Sequence, residues 1–221
     1  MNTDSWLATA LNTAPDSENQ IHSDELAKEY GFKGGLVPGV TVSAYLLHPV
    51  IESLGKEWLE RGYADCKITS PLYDGENFEV FSEAHKQGHI NTFLKNHEGK
   101  IVANAESQLL VNQPPAPRYR GDPLVEDNFE APVASFEIWE RLKNEGCRAF
   151  KFEWGGENPL IYLSDEKKLP KLLQPKDVGY ANLCFLLGCS NWILAGNAFM
   201  NPWVHLQTKS QNYKPVFLGS T

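Results

Sequence analysis

The chain of 221 residues carries 20 Lys and Arg against 28 Asp and Glu, a formal net charge of -8, and 42% of its residues are hydrophobic. An acidic chain without a basic cluster is not expected to bind nucleic acid. No run approaches the roughly 20 apolar residues of a membrane span, and residues 1–22 lack the basic start and apolar core of a secretory signal. We therefore expect a cytoplasmic protein, long enough for two small domains.

The cysteines and histidines show no pattern of metal ligands. The four cysteines, Cys66, Cys147, Cys184 and Cys189, are too scattered for a disulfide framework, and none forms a C-x-x-C pair. His48 and His205 are predicted to lie on a helix and on a strand, as partly buried residues. Trp58 and Trp203 are predicted to be core or interface aromatics. We therefore expect no metal site.

Two short helices are predicted near the start of the chain. Residues 4–11 form the first, and residues 15–17 belong to the polar loop that follows. Ser23 is predicted as the N-cap of the second helix, with Asp24 in its first turn, where an acidic side chain suits the helix dipole. Gly31 is expected to end this helix.

A buried helix is predicted to follow the loop of residues 34–39, which contains three glycines and must turn sharply. From Val40 to Leu54 the chain is apolar on almost every side, and a helix that is apolar all round is a buried one. Pro49 removes one hydrogen bond inside this helix, so we expect a kink near His48.

After this helix the apolar residues recur with a period of two, which predicts strands. The alternating runs are Ala64 to Ile68, Phe78 to Ser82, Ile90 to Leu94 and Ile101 to Val111. Tight turns are predicted at residues 87–88 and 97–99. The sequence therefore predicts an antiparallel meander that follows one long buried helix.

A proline-rich segment divides the chain. We assign residues 1–112 to a first unit, 113–131 to a linker and 132–221 to a second unit. The second unit repeats three features of the first in the same order. The Ser-Asp-Glu sequence of residues 23–25 recurs at residues 164–166, and Gly39 with the helix that follows it corresponds to Gly179 and residues 180–194. Residues 71–75 correspond to residues 215–219. Because the features keep their order at nearly the same offset, they indicate an internal repeat.

The stretch from Asn19 to Gly39 resembles the motif of the MaoC-like acyl-thioester dehydratases and hydratases. The matching residues are Asn19-Gln20-Ile21-His22-Ser23-Asp24, Ala27, Gly31-Phe32 and Leu36-Val37-Pro38-Gly39. The resemblance covers residues 4 to about 111 closely and the second unit more loosely. It implies an α+β fold of two tandem hotdog units, each an antiparallel sheet wrapped around a buried helix, with the second unit incomplete.

The resemblance also implies a reaction, the hydration or dehydration of an acyl thioester such as an enoyl-CoA or a 3-hydroxyacyl-CoA. His22 carries over as the acid–base residue, Asn19 as its support, and Gly39 as the backbone N–H donor to the thioester carbonyl. Val37 and Pro38 are assigned to substrate binding. No cofactor is implied beyond the coenzyme A or acyl carrier protein that is part of the substrate.

The family's catalytic Asp stands five residues before the His, and Ser17 occupies that position here. Asp16 lies one residue earlier, and Gln20 replaces the usual Pro, so a shift of one residue in the loop could bring Asp16 into place. We assign Asp16 to catalysis and Ser17 to substrate binding. Loss of the catalytic pair is the alternative.

Two other functions remain open. A non-catalytic acyl-CoA-binding or assembly subunit is the function expected if Ser17 replaces the acid and His22 only bonds to nearby backbone. A hotdog acyl-CoA thioesterase needs a carboxylate beside the thioester to activate water. The first buried helix offers only Glu52, at the far end from Gly39.

The second unit is expected to support the site rather than to duplicate it. The repeat places Leu163 opposite His22, so we expect one site per chain. About 36 residues follow residues 71–75 within the first unit, but only two follow their repeat. We therefore expect either a truncated chain or an obligate homo-oligomer. In the second case we expect a dimer in which the neighbouring chain completes the sheet.

Overall fold

The computed structural model describes residues 3–85, 88–118, 123–155, 161–174 and 179–221. Its helices and strands, in chain order, are β1 (Thr3–Thr9), α1 (Leu26–Glu29), α2 (Gly39–Arg61), β2 (Gly62–Ile68), β3 (Asn77–Ala84), β4 (His89–Asn96), β5 (Ile101–Leu109), α3 (Phe136–Glu145), α4 (Leu183–Asn197) and β6 (Gln207–Gln211). Single 3₁₀ turns lie at Gln20–His22, Glu166–Lys168 and Lys171–Leu173. Residue 87 of the predicted 87–88 turn lies outside the described residues.

The six strands form one antiparallel sheet in the order β1-β3-β4-β5-β2-β6. Side chains alternate across it: Phe78 and Val80 of β3 are buried, while Glu79 between them is partly exposed. Ile90 and Leu94 of β4 are buried in the same way. The predicted meander after the buried helix is therefore confirmed, because a period of two places every second residue against the core.

Helix α2 is the buried helix that the sequence predicts, and it packs against β2, β3, β4 and β5. Every residue from Val40 to Ile51 except Pro49 is buried. The predicted kink near His48 is wrong, since the non-helical backbone lies at Gly55, with φ 59° and ψ -143°. Glycine tolerates a positive φ, whereas the ring of proline holds φ near its helical value. The α+β arrangement of an antiparallel sheet around one helix agrees with the predicted hotdog unit.

The helix predicted for residues 4–11 is wrong, because Thr3–Thr9 forms strand β1. It pairs with β3, with Trp6 opposite Val80. The Trp6 ring stacks on His48 with the ring centroids 3.8 Å apart, whereas Leu7 is 71% exposed. Pairing with a strand 70 residues later therefore outweighs the local helical pattern, as is common for edge strands.

The second short helix is confirmed in place but begins later than predicted. Helix α1 starts at Leu26, whose N–H lies 3.4 Å from the Ser23 hydroxyl oxygen. Asp24 does not act as a first-turn acid, since its carboxylate accepts a hydrogen bond from the Gly35 N–H at 2.8 Å. Asp24 therefore ties this turn to the loop that precedes α2.

The chain after the linker packs against the first unit and shares its core. Helix α4 contacts α2, and it begins at Leu183 rather than at residue 180, because the Asn182 side chain caps it by accepting from the Phe185 N–H at 3.0 Å. Leu163 is buried in the common core. His205 lies in irregular chain before β6, not on a strand as predicted.

Strand β6 extends the sheet of the first unit by pairing with β2. Within the described residues there is a single sheet, so a second hotdog sheet is not seen there and the tandem arrangement stays a prediction. Among the same residues no helix combines the length and the apolar character needed to cross a membrane.

Candidate functional site

The 3₁₀ turn of Gln20–His22 is held against the loop before α2. The Leu36 N–H donates to the Ile21 carbonyl oxygen at 2.8 Å, and His22 Nδ1 lies 2.7 Å from the Leu36 carbonyl oxygen. The approach requires glycine at position 35, because a Cβ there would lie 2.4 Å from the His22 carbonyl oxygen. The close approach of the backbone at Gly35 therefore helps to position the His22 ring against Leu36.

The hydrogen bonds of His22 define its tautomer. A carbonyl oxygen can only accept, so Nδ1 carries the hydrogen and the neutral ring presents a lone pair at Nε2. The Asn19 amide nitrogen lies 3.4 Å from that Nε2. Its orientation is set by Trp203, whose carbonyl oxygen accepts from Asn19 Nδ2 at 3.0 Å and whose N–H donates to Asn19 Oδ1 at 3.2 Å. Asn19 therefore lies against the His22 ring, and the supporting part that the resemblance implies for it stays a prediction.

Burial keeps His22 neutral. Loss of solvent lowers the pKa of its imidazole from the ordinary 6.5, and the hydrogen bond to the Leu36 carbonyl offsets part of this. A neutral imidazole with a lone pair at Nε2 is the form that a general base requires.

Asp16 and Ser17 lie near His22 but do not bond to it. Both are exposed loop residues, and the Ser17 hydroxyl donates to the Asn19 carbonyl oxygen at 3.4 Å. Among the described residues, no hydrogen bond joins the Asp16 carboxylate to the His22 ring. The catalytic part assigned to Asp16 and the binding part assigned to Ser17 therefore stay predictions.

The start of α2 leaves backbone donors unused. Its N-cap is Pro38, which offers no side-chain acceptor, and the Pro38 carbonyl accepts from Thr41 and Val42. The N–H groups of Gly39 and Val40 have no acceptor among the described residues. The first amides of a helix carry partial positive charge and favour an oxygen with developing negative charge.

Gly39 is packed against two side chains from other elements. A Cβ at this position would lie 2.5 Å from His205 Cβ, 2.6 Å from His205 Cγ and 3.0 Å from the Ile68 methyl carbon Cδ1. Glycine is therefore required at this position by close contact with His205 and Ile68.

Two cavities meet at His22. The inner cavity, of about 150 Å³, is lined by Gly39 and His205 and by the apolar side chains of Ile21, Phe32, Leu36, Val42, Ile68 and Leu72. The outer cavity, of about 470 Å³, is lined by Thr13, Asp16, Ser17, Glu18, Trp192, Phe199 and Met200. Both cavities share His22, Asn19, Pro38, Asn191 and Trp203. Val37 lines the inner cavity beside Pro38.

Residues after the linker complete the wall opposite His22. Asn201 holds the loop before His22 by accepting from the Gln20 N–H at 3.0 Å and donating to the Glu18 carbonyl oxygen at 2.8 Å. Asn191 of α4 lines both cavities. Sequence reasoning missed the parts of Asn191, Asn201 and His205, and took Trp203 only for a core or interface aromatic. No local signal marks Asn201 and Trp203, because their partners in the loop before His22 lie more than 180 residues away.

His205 is the second imidazole at the inner cavity. Its Nε2 hydrogen-bonds to the Thr208 hydroxyl, and burial lowers the pKa of the ring below 6.5. Both histidines of the site are therefore expected to be neutral near pH 7. Within the part of the chain that the structure describes, no group of three or more His, Cys, Asp or Glu side chains is placed to hold a metal ion.

Comparison with known proteins finds solved structures only. No family model matches the sequence, and no curated protein matches it. One similar structure is the dehydratase domain of PpsC from Mycobacterium tuberculosis in complex with C12:1-CoA, with 14% identity, a TM-score of 0.37 and coverage of 65% of this chain and 48% of that one. The chain thus spans about half the length of that protein.

Two further structures are similar in the same measure. R-hydratase PhaJ1 from Pseudomonas aeruginosa has 18% identity and a TM-score of 0.37, over 53% of this chain and 91% of that one. A MaoC domain protein dehydratase from Chloroflexus aurantiacus has 13% identity and a TM-score of 0.38, over 57% of this chain and 43% of that one. All three structural neighbours are described as dehydratases or hydratases.

Proposed function

We propose that the chain hydrates a trans-2-enoyl thioester, or dehydrates the corresponding 3-hydroxyacyl thioester, at the junction of the two cavities. One observation carries this proposal: His22, whose Nε2 is unprotonated, and Gly39, whose N–H has no acceptor among the described residues, line the same cavity. A base and a fixed oxyanion donor at one cavity are what addition of water to a conjugated thioester requires.

In the hydration direction, His22 Nε2 takes a proton from water while the oxygen bonds to C3 of the substrate. The electrons of the C2=C3 bond move to the thioester oxygen, where the Gly39 N–H stabilises the negative charge. The imidazolium then gives a proton to C2, so a C2–H bond forms and His22 is neutral again. Asn19, whose amide nitrogen lies 3.4 Å from Nε2, orients the water in this scheme.

A non-catalytic acyl-thioester-binding subunit is the second candidate. It is favoured by the absence, among the described residues, of a bond between Asp16 and His22, and by the fact that the His22 ring already has a partner at each nitrogen. A thioesterase is less well supported, because Glu52 lies 13 residues along α2 from Gly39, roughly 20 Å away, and contacts His48 instead.

The proposal extends to the architecture and the partners. Helix α4 precedes β6 as α2 precedes β2, and β2 and β6 are antiparallel neighbours, which supports two related hotdog units within residues 1–112 and 132–221, joined by the linker. The acyl group would be carried by coenzyme A or by an acyl carrier protein. A homodimer remains part of the proposal and is tested by the mass of the protein in solution.

The test is an assay of the purified chain with trans-2-enoyl-CoA and with saturated acyl-CoA. We expect loss of the enoyl absorbance without release of free thiol, and we expect His22→Ala to lower the rate about a hundred- to ten-thousand-fold. His85→Ala, on an exposed hairpin, is the matched control and should keep full activity. Thiol release would indicate a thioesterase. Binding of acyl-CoA without turnover would indicate the non-catalytic subunit.

A further inference from the structure

The two cavities that meet at His22 differ in size, with about 150 Å³ in the inner and about 470 Å³ in the outer cavity. We propose that the inner cavity holds the acyl chain and limits it to about six carbons, so that the substrate is a short-chain thioester. This inference rests on the proposed function and adds the substrate class. The outer cavity then receives the arm that carries the thioester sulfur.

The walls assign the acyl chain to the inner cavity. Leu36, Val42 and Leu72 are almost completely buried there, and Ile68 packs against the main core beside them. These buried side chains give an apolar chain a surface on which it leaves water.

The outer cavity offers both polar and apolar groups to the arm that carries the thioester. Its rim includes Thr13, Asp16 and Glu18, of which Asp16 and Glu18 are exposed to solvent. The pantetheine arm of coenzyme A or of an acyl carrier protein contains two amides, which need hydrogen-bonding partners or water along their path. Trp192 and Met200 on the opposite wall can contact its methylene groups.

The size of the inner cavity sets the length of the chain. Its volume of about 150 Å³ equals that of an engineered apolar cavity known to accept benzene, a molecule of six carbons. His22 and Gly39 line the same cavity, so the reacting carbons occupy part of this space. The whole acyl group, counted from the thioester carbon, is therefore limited to about six carbons.

Part of the inner cavity's wall is held in place by the fold. The Val37 N–H donates to the Leu72 carbonyl oxygen at 2.9 Å, which fixes the segment after β2 to the loop before α2. Val42 lies on the first turns of the central helix. A longer chain would have to displace packed core atoms, which is costly in a close-packed interior.

The experiment measures kcat/KM for trans-2-enoyl-CoA of 4, 6, 8, 10 and 12 carbons, together with the Kd of the saturated acyl-CoA of each length. We expect the highest values at 4 to 6 carbons and at least a tenfold loss by 10 carbons. Leu72→Ala should move the optimum to about 8 carbons by enlarging the cavity. Ile68→Ala, at a less buried position, serves if Leu72→Ala does not fold.

Two controls separate pocket size from general damage. Val80→Ala removes buried methyl groups of β3, which lines neither cavity, and should leave the chain-length profile unchanged. Met200→Ala enlarges the outer cavity and should also leave it unchanged. An optimum at 10 or more carbons, or a shift caused by Met200→Ala, overturns the inference. If no length is hydrated, the proposed reaction fails, and the Kd series alone then decides whether the cavity limits the acyl chain.

Discussion

His22 Nδ1 donates to the Leu36 carbonyl oxygen at 2.7 Å, across the 14 residues that separate the two positions. The bond fixes the tautomer, so Nε2 carries the lone pair of a ring that lines both cavities, with the Asn19 amide nitrogen 3.4 Å from it. A catalytic group that is oriented in advance loses little entropy when substrate binds.

The first prediction concerns pH. Burial lowers the pKa of His22 below 6.5, and the proposed base must be neutral, so kcat/KM should stay level from pH 8 down to about pH 6.5 and fall only at lower pH. A profile of kcat/KM between pH 4.5 and 8.5 measures this. The His85→Ala control should show the same acid limb. A midpoint above 6.5 would show that His22 is stabilised as a cation, against the prediction.

The second prediction concerns Gly39→Ala. The new Cβ would lie 2.5 Å from His205 Cβ, so either the start of α2 or the His205 loop must move. We expect a loss of about 1 to 3 kcal/mol in the free energy of unfolding, measured with urea, and a clear loss of turnover. His205→Gly removes the clashing atoms, so the double variant should recover part of the stability lost. If the two changes are additive, the contact is not the cause.

The third prediction concerns which residue, Asp16 or Ser17, takes the place of the catalytic Asp of the family motif. If Asp16 assists His22 in catalysis, Asp16→Asn should lower kcat by a factor that approaches the His22→Ala loss, and Ser17→Ala should have a mild effect. If Ser17 matters instead, the order reverses. Steady-state kinetics of the two variants with one enoyl-CoA separates these cases. Mild effects of both changes would mean that His22 acts without a carboxylate partner.

The fourth prediction concerns stability in acid. His48 is buried against Trp6 and the Tyr162 hydroxyl, with Glu52 at 3.6 Å, and burial lowers its pKa to about 4. The unfolded chain binds this proton near pH 6.5, so the folded state should lose stability as pH falls from 6.5 toward 4. A pKa gap of this size corresponds to about 3 kcal/mol.

Urea unfolding at pH 7.5, 5.5 and 4.5 tests that prediction. His48→Gln cannot take up the proton, so its stability should fall less between pH 7.5 and 4.5 than that of the unmodified chain. His22 and His205 also have lowered pKa values and contribute in the same direction, so part of the slope should remain. Equal slopes for the two proteins would exclude His48 as a source of the acid sensitivity.

Much of the first unit could be predicted from the sequence. Helix α2 is apolar on all sides, and strands β2 to β5 show apolar residues at every second position. Both patterns depend only on which residues face a core, so they can be recognised within a short stretch of sequence. The sequence also placed His22 before the short helix and Gly39 at the start of the buried helix, because the motif keeps a fixed spacing.

The tertiary structure decided what lies across the site. Most of residues 4–11 form a strand instead of a helix because they pair with the edge of β3. Asp24 binds the Gly35 N–H instead of the first turn of a helix because its segment lies against the loop before α2. Asn19 is held by Trp203, which is 184 residues away in the chain. Contacts at that separation depend on the path of the whole backbone, which local patterns of hydrophobicity and turn residues do not encode.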